Sequence, residues 1–574
     1  MKRKKWTIAK GDPVAEKKIC AELGLSPVIA RILVNRGLKD VESVNLFLNP
    51  SLTRLENPMA MADMDIAVER VLTALDLKEK IVVCGDYDAD GITSTALLVS
   101  FFKEIGIDAE YYIPERGSDG YGLSIKAVET LASNGAKLLI TVDNGISAFE
   151  AADRAKSLGL DLLITDHHLP GTKLPQAVAI LNPNRVDCGY PFKGLAGVGV
   201  AFKLATAVRT GLYRRGVEKA KLPNLKKLLD VVAIGSIADA AKLSDENRIM
   251  TSFGIEELSK TQKSGLLAIK EVAGLNGTAT CRDIGFGIAP RLNAAGRLGR
   301  ADICVELLLT DDRLRAREIS LKLDEENNRR KKTQAEVFKL AMQMAENTFD
   351  PENDKVLILG SDGWNAGVIG IVASMMVEKF NVPVALVCFD GETGRGSARS
   401  IQAFDITGGL NATSDKLIRF GGHKMAAGFS VTLKNFDDFK KNLLTFANEK
   451  LSSEDTAPAI DIDLAVSPVD LDMELIKKIH SLAPFGTGFA VPVFASHKVG
   501  TKNFKIMGAN GQHVKFTLEN GAEAIGFNMA ELLLEKGMLD GPLDIAYTPE
   551  INKWRGTERI QLRMIDARPA RETD

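Results

Sequence analysis

Ile81-Val82-Val83-Cys84-Gly85-Asp86-Tyr87-Asp88-Ala89-Asp90-Gly91 places an apolar run of strand type directly before three carboxylates at alternate positions. A helical segment, Thr93 to Phe102, follows. Strand, acid-bearing turn and helix make up the repeating unit of a doubly wound α/β sheet, and such sheets gather their ligands at the carboxyl ends of the strands. Asp86, Asp88 and Asp90 would occupy that place. Carboxylates packed so closely repel one another unless a cation compensates. Taken alone, the stretch reads nearly as well as an acidic turn in water.

The same grammar recurs downstream. Leu138-Leu139-Ile140-Thr141-Val142 leads into Asp143, and Leu162-Leu163-Ile164-Thr165 leads into Asp166-His167-His168. A fourth apolar run, Val231 to Ile237, is read as a strand that delivers Asp239. The chain has only six histidines, so an adjacent pair beside an acid is informative. Two consecutive imidazoles cannot both be buried on one face of a strand. Carboxylates with imidazole form a mixed ligand set suited to Mn2+ or Mg2+ more than to structural zinc, which prefers thiolate. Two such ions sharing carboxylates clamp phosphoryl oxygens and acidify a water, so the implied chemistry is phosphoester hydrolysis.

The bulk numbers agree with a globular enzyme. At 574 residues, with 45% hydrophobic and 26% charged, the chain can form several cores. No apolar run is long enough to span a bilayer, and the basic start lacks a signal-peptide core, so no membrane and a cytoplasmic location are expected. The six cysteines carry no CxxC pair, which indicates neither a disulfide framework nor a zinc ribbon. A net charge of −2 neither supports nor excludes nucleic acid; binding would need a local basic track.

Strands alternating with helices from residue 76 to 308 predict an α/β fold with a doubly wound, mostly parallel sheet. Residues 1–75 read as a polar, helix-like accessory segment. A stretch without Gly or Pro in 309–350 predicts a long connecting helix. A second α/β domain is expected over 351–455. Short strand-like runs over 456–574 suggest a small barrel or sandwich.

In order and strand context, the acid and histidine segments resemble motifs I to IV of the DHH phosphoesterases. The resemblance implies metal ligation by Asp88, Asp90, Asp143, His167 and Asp239, with Asp86 in support, and Asp143 counts as catalytic through its ion. Cys84 stands where the usual first motif has His. His168 would face the scissile phosphate, stabilising its charge or assisting protonation of the leaving oxygen. Further stretches are similar to the RecJ branch. Ile113-Pro114-Glu115-Arg116 before Gly120-Tyr121-Gly122-Leu123 supplies Arg116 for a terminal phosphate, or simply a glycine-held surface turn. Ala289 to Leu298 supplies Arg291, Asn293 and the catalytic candidate Arg297. Gly394 to Ser400 and Phe420 to Phe429 resemble the DHHA domain, in which Ser397, Arg399, Gly422 and His423 would bind a nucleotide phosphate across the cleft from the metals. Asn365 stands where that branch commonly has His. The C-terminal segment resembles an OB-type barrel, with Phe504, Lys505, Trp554 and Arg555 as candidates for a single strand.

The resemblance covers nearly the whole chain beyond residue 78. It implies a RecJ-type exonuclease that degrades single-stranded DNA from the 5′ end with two Mn2+ or Mg2+ ions, working as a monomer beside a helicase and a single-strand-binding protein. Two other readings stay open: a phosphodiesterase for short oligonucleotides or cyclic dinucleotides, and a noncatalytic single-strand-binding scaffold.

Overall fold

In the computed structural model, which describes residues 4–114, 122–296, 301–535, 541–554 and 556–570, five strands carry the acidic motifs. They are β1 (Ile81–Cys84), β2 (Glu110–Tyr112), β3 (Leu138–Val142), β4 (Asp161–Thr165) and β5 (Ala179–Leu181). Every pairing is parallel, and the order is β2-β1-β3-β4-β5. The chain therefore leaves β1 toward one side and returns on the other, which puts a topological switch point between β1 and β3.

The sheet is buried on both faces, as parallel sheets require. Ile81, Val83, Leu138, Ile140, Val142, Leu163 and Leu181 point into one core with α1 (Met64–Asp76), α2 (Ala89–Glu104) and α5 (Gly197–Arg214). Val82, Cys84, Leu139, Leu162, Ile164 and Ile180 alternate into the other, against α3 (Ile125–Ser133) and α4 (Phe149–Ser157). Cys84 thus belongs to the apolar core, where burial pushes its thiol up to about 12.

One expected strand is a helix. Leu229–Ala238 forms α6, nearly all of it buried, and Asp239 is its C-terminal cap. A helix apolar on every side loses the 3.6-residue signal and cannot be told from a buried strand by pattern alone.

The long connector is present as α8 (Arg313–Thr348), after α7 (Ala289–Ala295). The chain divides into two compact units, residues 8–326 with 462–574 and residues 1–7 with 327–461. In the first unit, Ala316, Ile319 and Leu323 of α8 join the core that contains Ile92, Ile234 and Leu292. In the second, Val337, Ala341 and Ala345 pack with Trp364 and Val372.

The second unit has a five-stranded mixed sheet: β6 (Leu357–Asp362), β7 (Val384–Asp390), β8 (Thr393–Arg399), β9 (Leu417–His423) and β10 (Ala426–Thr432), in the order β9-β10-β8-β7-β6. Helix α9 (Ile369–Phe380) lies between β6 and β7 in the chain.

The C-terminal segment forms a seven-stranded sheet around the long hairpin Leu543–Trp554 and Thr557–Pro569. Its core includes the N-terminal helices: Ile19, Ile29, Leu33 and Val44 pack with Phe494, Phe516 and Tyr547. The beginning of the chain is therefore structural cover for its end, a tertiary relation that local pattern cannot carry. Arg248, from the first α/β domain, donates to the carbonyls of Leu482, Ala483 and Pro484 and stacks 3.5 Å from the Phe47 ring.

Candidate metal centre

The turns after β1, β3 and β4 converge with the C-terminus of α6. Asp90 is buried at the start of α2 and accepts from the amides of Gly197 (2.7 Å) and Val198 (2.9 Å), the first two residues of α5. The positive end of that helix steadies the carboxylate. Asp88 caps α2, accepting from Asp90 N and Gly91 N. Asp143 adopts a left-handed backbone, φ 61°, a conformation costly for a residue with a Cβ. It turns a fully buried carboxylate into the same space, where Oδ1 has no hydrogen-bond partner and lies 3.1 Å from His167 Nε2. His167 also stands 3.9 Å from both Asp90 and Asp239.

These atoms form overlapping sets. Asp90, His167 and Asp239 make one, Asp86, Asp88 and Asp143 a second, and Asp143, His167 and His168 a third, each with donor atoms within 4.8 Å of one another. Electrostatics show what the cluster lacks. Burial and then the charge of Asp239 push Asp90 up to about 7; burial and then Asp88 push Asp239 up to about 7. Burial, followed by Asp90 and Asp88, also raises Asp143. Carboxylates crowded together, two of them buried and one with an orphaned oxygen while Asp239 stays open to solvent, fit divalent cations. The oxygen and imidazole donors suit Mn2+ or Mg2+.

His168 has a different setting. Its Nδ1 is 2.7 Å from Asp166 Oδ1, and Asp166 also accepts from the amides of Ile146, His167 and His168. The hydrogen bond that His168 donates to Asp166 is the main reason its imidazole is held up at about 9. Burial opposes the charge on Asp166, but its bonds to His168 keep it below the usual carboxylate range.

The glycines around the site are required by space. A Cβ on Gly197 would lie 2.6 Å from Asp143 Cβ and Oδ1, and one on Gly91 would meet the Asp86 backbone at 2.5 Å. Gly197→Ala should therefore displace α5 from Asp90 and lower both stability, by about 1–3 kcal/mol as for other overpacked sites, and Mn2+-dependent activity. A variant with unchanged melting and unchanged Mn2+ dependence would show that α5 does not set Asp90.

Of the other candidates, Asn293 lies beside the cluster but uses its Oδ1 to accept from Ala89 N, 2.8 Å away. Arg291, expected to hold a phosphate, has partners within the protein. It is buried in contact with Asp324, Gly287 O and Val272 O, and so ties α7 to α8. Arg116 and Arg297 lie outside the described residues, as does Arg555. Trp554 ends its strand in the C-terminal hairpin.

In the other unit, Arg399 donates to Ser397 Oγ (3.1 Å) beside the start of α9. There a Cβ on Gly370 would press within 2.9 Å of both side chains. Strand register puts Arg399, Ala426 and His423 in one row across three strands, and Ala398, Ala427 and Gly422 in the next. These four candidates therefore share one end of the sheet. Asn365 caps its own turn, accepting from Gly367 N.

Sequence reading missed Gly197 and Asp166 as supports. The small-residue run Leu195-Ala196-Gly197-Val198-Gly199 was the available signal for the first.

A two-sided parallel sheet whose switch point gathers an Asp–His cage defines a metallophosphoesterase of the DHH class. Residues 80–236 match the DHH family N-terminal domain, 353–449 the DHHA1 domain and 462–566 the RecJ OB domain. The chain is 37% identical to the single-stranded-DNA-specific exonuclease RecJ of Bacillus subtilis, covering 98% of this chain and 70% of that protein. It is also 37% identical to the RecJ of Haemophilus influenzae, covering 93% and 95%. The crystal structure of Thermus thermophilus RecJ in complex with Mn2+ superposes with a TM-score of 0.85 at 28% identity, covering 99% of this chain and 80% of that one. The chain belongs to the RecJ exonuclease family.

Proposed function

We propose that this chain hydrolyses single-stranded DNA from the 5′ end and releases 5′-mononucleotides. The observation that carries the reading is the gathering of buried Asp90 and Asp143 around half-buried His167, with Asp239 at its edge, on a chain whose relatives are single-strand-specific exonucleases. Asp86, Asp88, Asp90, Asp143, His167 and Asp239 would hold the ions. When bound, divalent cations neutralise phosphoryl oxygens and acidify the attacking water.

The protein's own groups do the rest. The α5 amides and Asp88 hold the acidic turn in register before any substrate arrives, so no reorganisation is needed during reaction. Asp166 keeps the His168 ring oriented and protonated, so that it supplies positive charge and a proton near the leaving oxygen. Ser397 and Arg399, with Gly422 and His423 at the same sheet end, offer hydroxyl, guanidinium and backbone donors to a strand phosphate. Arg116 and Arg297 are proposed for the same charge, and Trp554 for stacking on a base.

Action as a monomer is part of this proposal. A single-strand enzyme needs an opened duplex, so a helicase and a single-strand-binding protein are its proposed companions, in the cytoplasm where such DNA is made. Among the described residues no helix is long and apolar enough to cross a membrane.

The test uses matched single- and double-stranded DNA labelled at either end, with Mn2+ or with EDTA. Release beginning at the 5′ label of single strands, lost in EDTA, is expected. Turnover confined to dinucleotides would move the chain to a small-substrate phosphodiesterase, and DNA binding without turnover would make it a scaffold.

A further inference from the structure

Four asparagines surround the ligand cluster, and each uses its amide on the backbone of a ligand-bearing segment. Asn144 Nδ2 donates to Val142 O (2.9 Å) and Cys84 O (3.2 Å), which joins the carboxyl ends of β3 and β1. Asn182 Nδ2 donates to His168 O at 2.8 Å, and Asn184 Nδ2 donates to His167 O at 2.6 Å. Asn182 Oδ1 accepts from Asn184 N (2.8 Å), so these two form one bracket behind the His pair. Asn293 Oδ1 takes the Ala89 N–H of the first acidic turn.

We infer that these asparagines are positioning residues: a neutral amide cradle that fixes the ligand loops and thereby sets the affinity of the site for divalent cations. The need for fixing is visible after β3, where Asp143, next to Asn144, holds a left-handed backbone (φ 61°) that persists only when its surroundings enforce it. The choice of residue follows from charge. A lysine or arginine strap would neutralise the carboxylates and compete with the cation. An acidic strap would add to the existing repulsion and cannot donate to a carbonyl. An amide donates and accepts with no net charge. Hydrogen bonds to the ligands orient them in metal sites generally, and these asparagines act one step further out, on the backbone that carries the ligands. The inference rests on the metal-centre reading and assigns part of its affinity to residues outside the ligand set.

Asn184 is the practical probe, because it is only half-buried whereas Asn144 and Asn182 are closed off. Mn2+ binding to metal-free Asn184→Ala and Asn184→Asp would be measured by electron paramagnetic resonance, beside metal-free melting and the Mn2+ dependence of turnover. Both variants should bind Mn2+ about ten-fold more weakly or worse, with kcat at saturating Mn2+ recovering toward wild type. The Asp variant is the sharper arm. It keeps the side-chain volume, and its added negative charge would by attraction tighten cation binding, so weakening there reports the lost donor. If Ala alone lowers the melt, that is a packing loss and the Asp variant decides. Mn2+ affinity in Asn184→Asp equal to or above wild type would overturn the cradle. A wild-type protein that binds no Mn2+ would instead overturn the metal-centre reading beneath it.

Discussion

Asn in place of Asp143 should reduce Mn2+-dependent turnover by more than about 100-fold, the upper end of what losing a partner one bond removed from a metal costs, while making the metal-free protein more stable. Both effects have one cause. Asp143 is buried beside Asp90 and Asp88, and its Oδ1, 3.1 Å from His167 Nε2, has no hydrogen-bond partner among the described residues. A neutral amide of the same shape removes repulsion that only a cation otherwise relieves. A gain of about 1 kcal/mol corresponds to a rise of roughly 2–4 °C in melting temperature for a domain of this size. Loss of activity with an unchanged or lower metal-free melt would mean that Asp143 is held by something other than ions. Mn2+ should stabilise the wild type more than the variant, by mass action on the folded state.

Glu246→Ala should be the most destabilising single change outside the site, at about 3–5 kcal/mol, against a typical total stability of about 5–15 kcal/mol. Lys203 and Glu246 form a salt bridge with both side chains almost wholly buried. Glu246 also accepts from Tyr190 OH (2.5 Å) and Glu56 N (2.7 Å), and Lys203 donates to Glu56 O (2.9 Å). Burial lowers the Lys203 pKa and its acidic neighbours oppose that fall. Truncating the acid leaves an ammonium in the dark with one carbonyl for company, whereas Lys203→Met with Glu246→Leu should recover most of the loss, because isosteric apolar pairs avoid the desolvation cost. Urea unfolding of the three proteins decides it, and a loss below about 1 kcal/mol in the single variant would contradict the account.

What the sequence displayed best was what depends on neighbours in the chain. The runs before Asp86, Asp143 and Asp166 became strands because each is apolar on both faces and ends at a turn. The Gly-free charged stretch became α8. Asp239 was found for the right chemistry on the wrong element, since α6 is buried all round. Arg291 is expected at a phosphate because guanidinium is apt for one, and its bond to Asp324, 33 residues away, is of a kind no local pattern displays. The asparagine bonds and the packing of the N-terminal helices onto the C-terminal sheet are equally nonlocal. No period or spacing encodes them, and only the folded chain brings the partners together.

Anomalous diffraction at the manganese edge, from crystals of the wild type and of Asp143→Asn grown with Mn2+, decides whether Asp90, Asp143, His167 and Asp239 enclose the catalytic ions. Anomalous peaks are expected among these side chains in the wild type, weakened or lost in the variant. Peaks confined to other parts of the protein, or undiminished by the substitution, would contradict that enclosure.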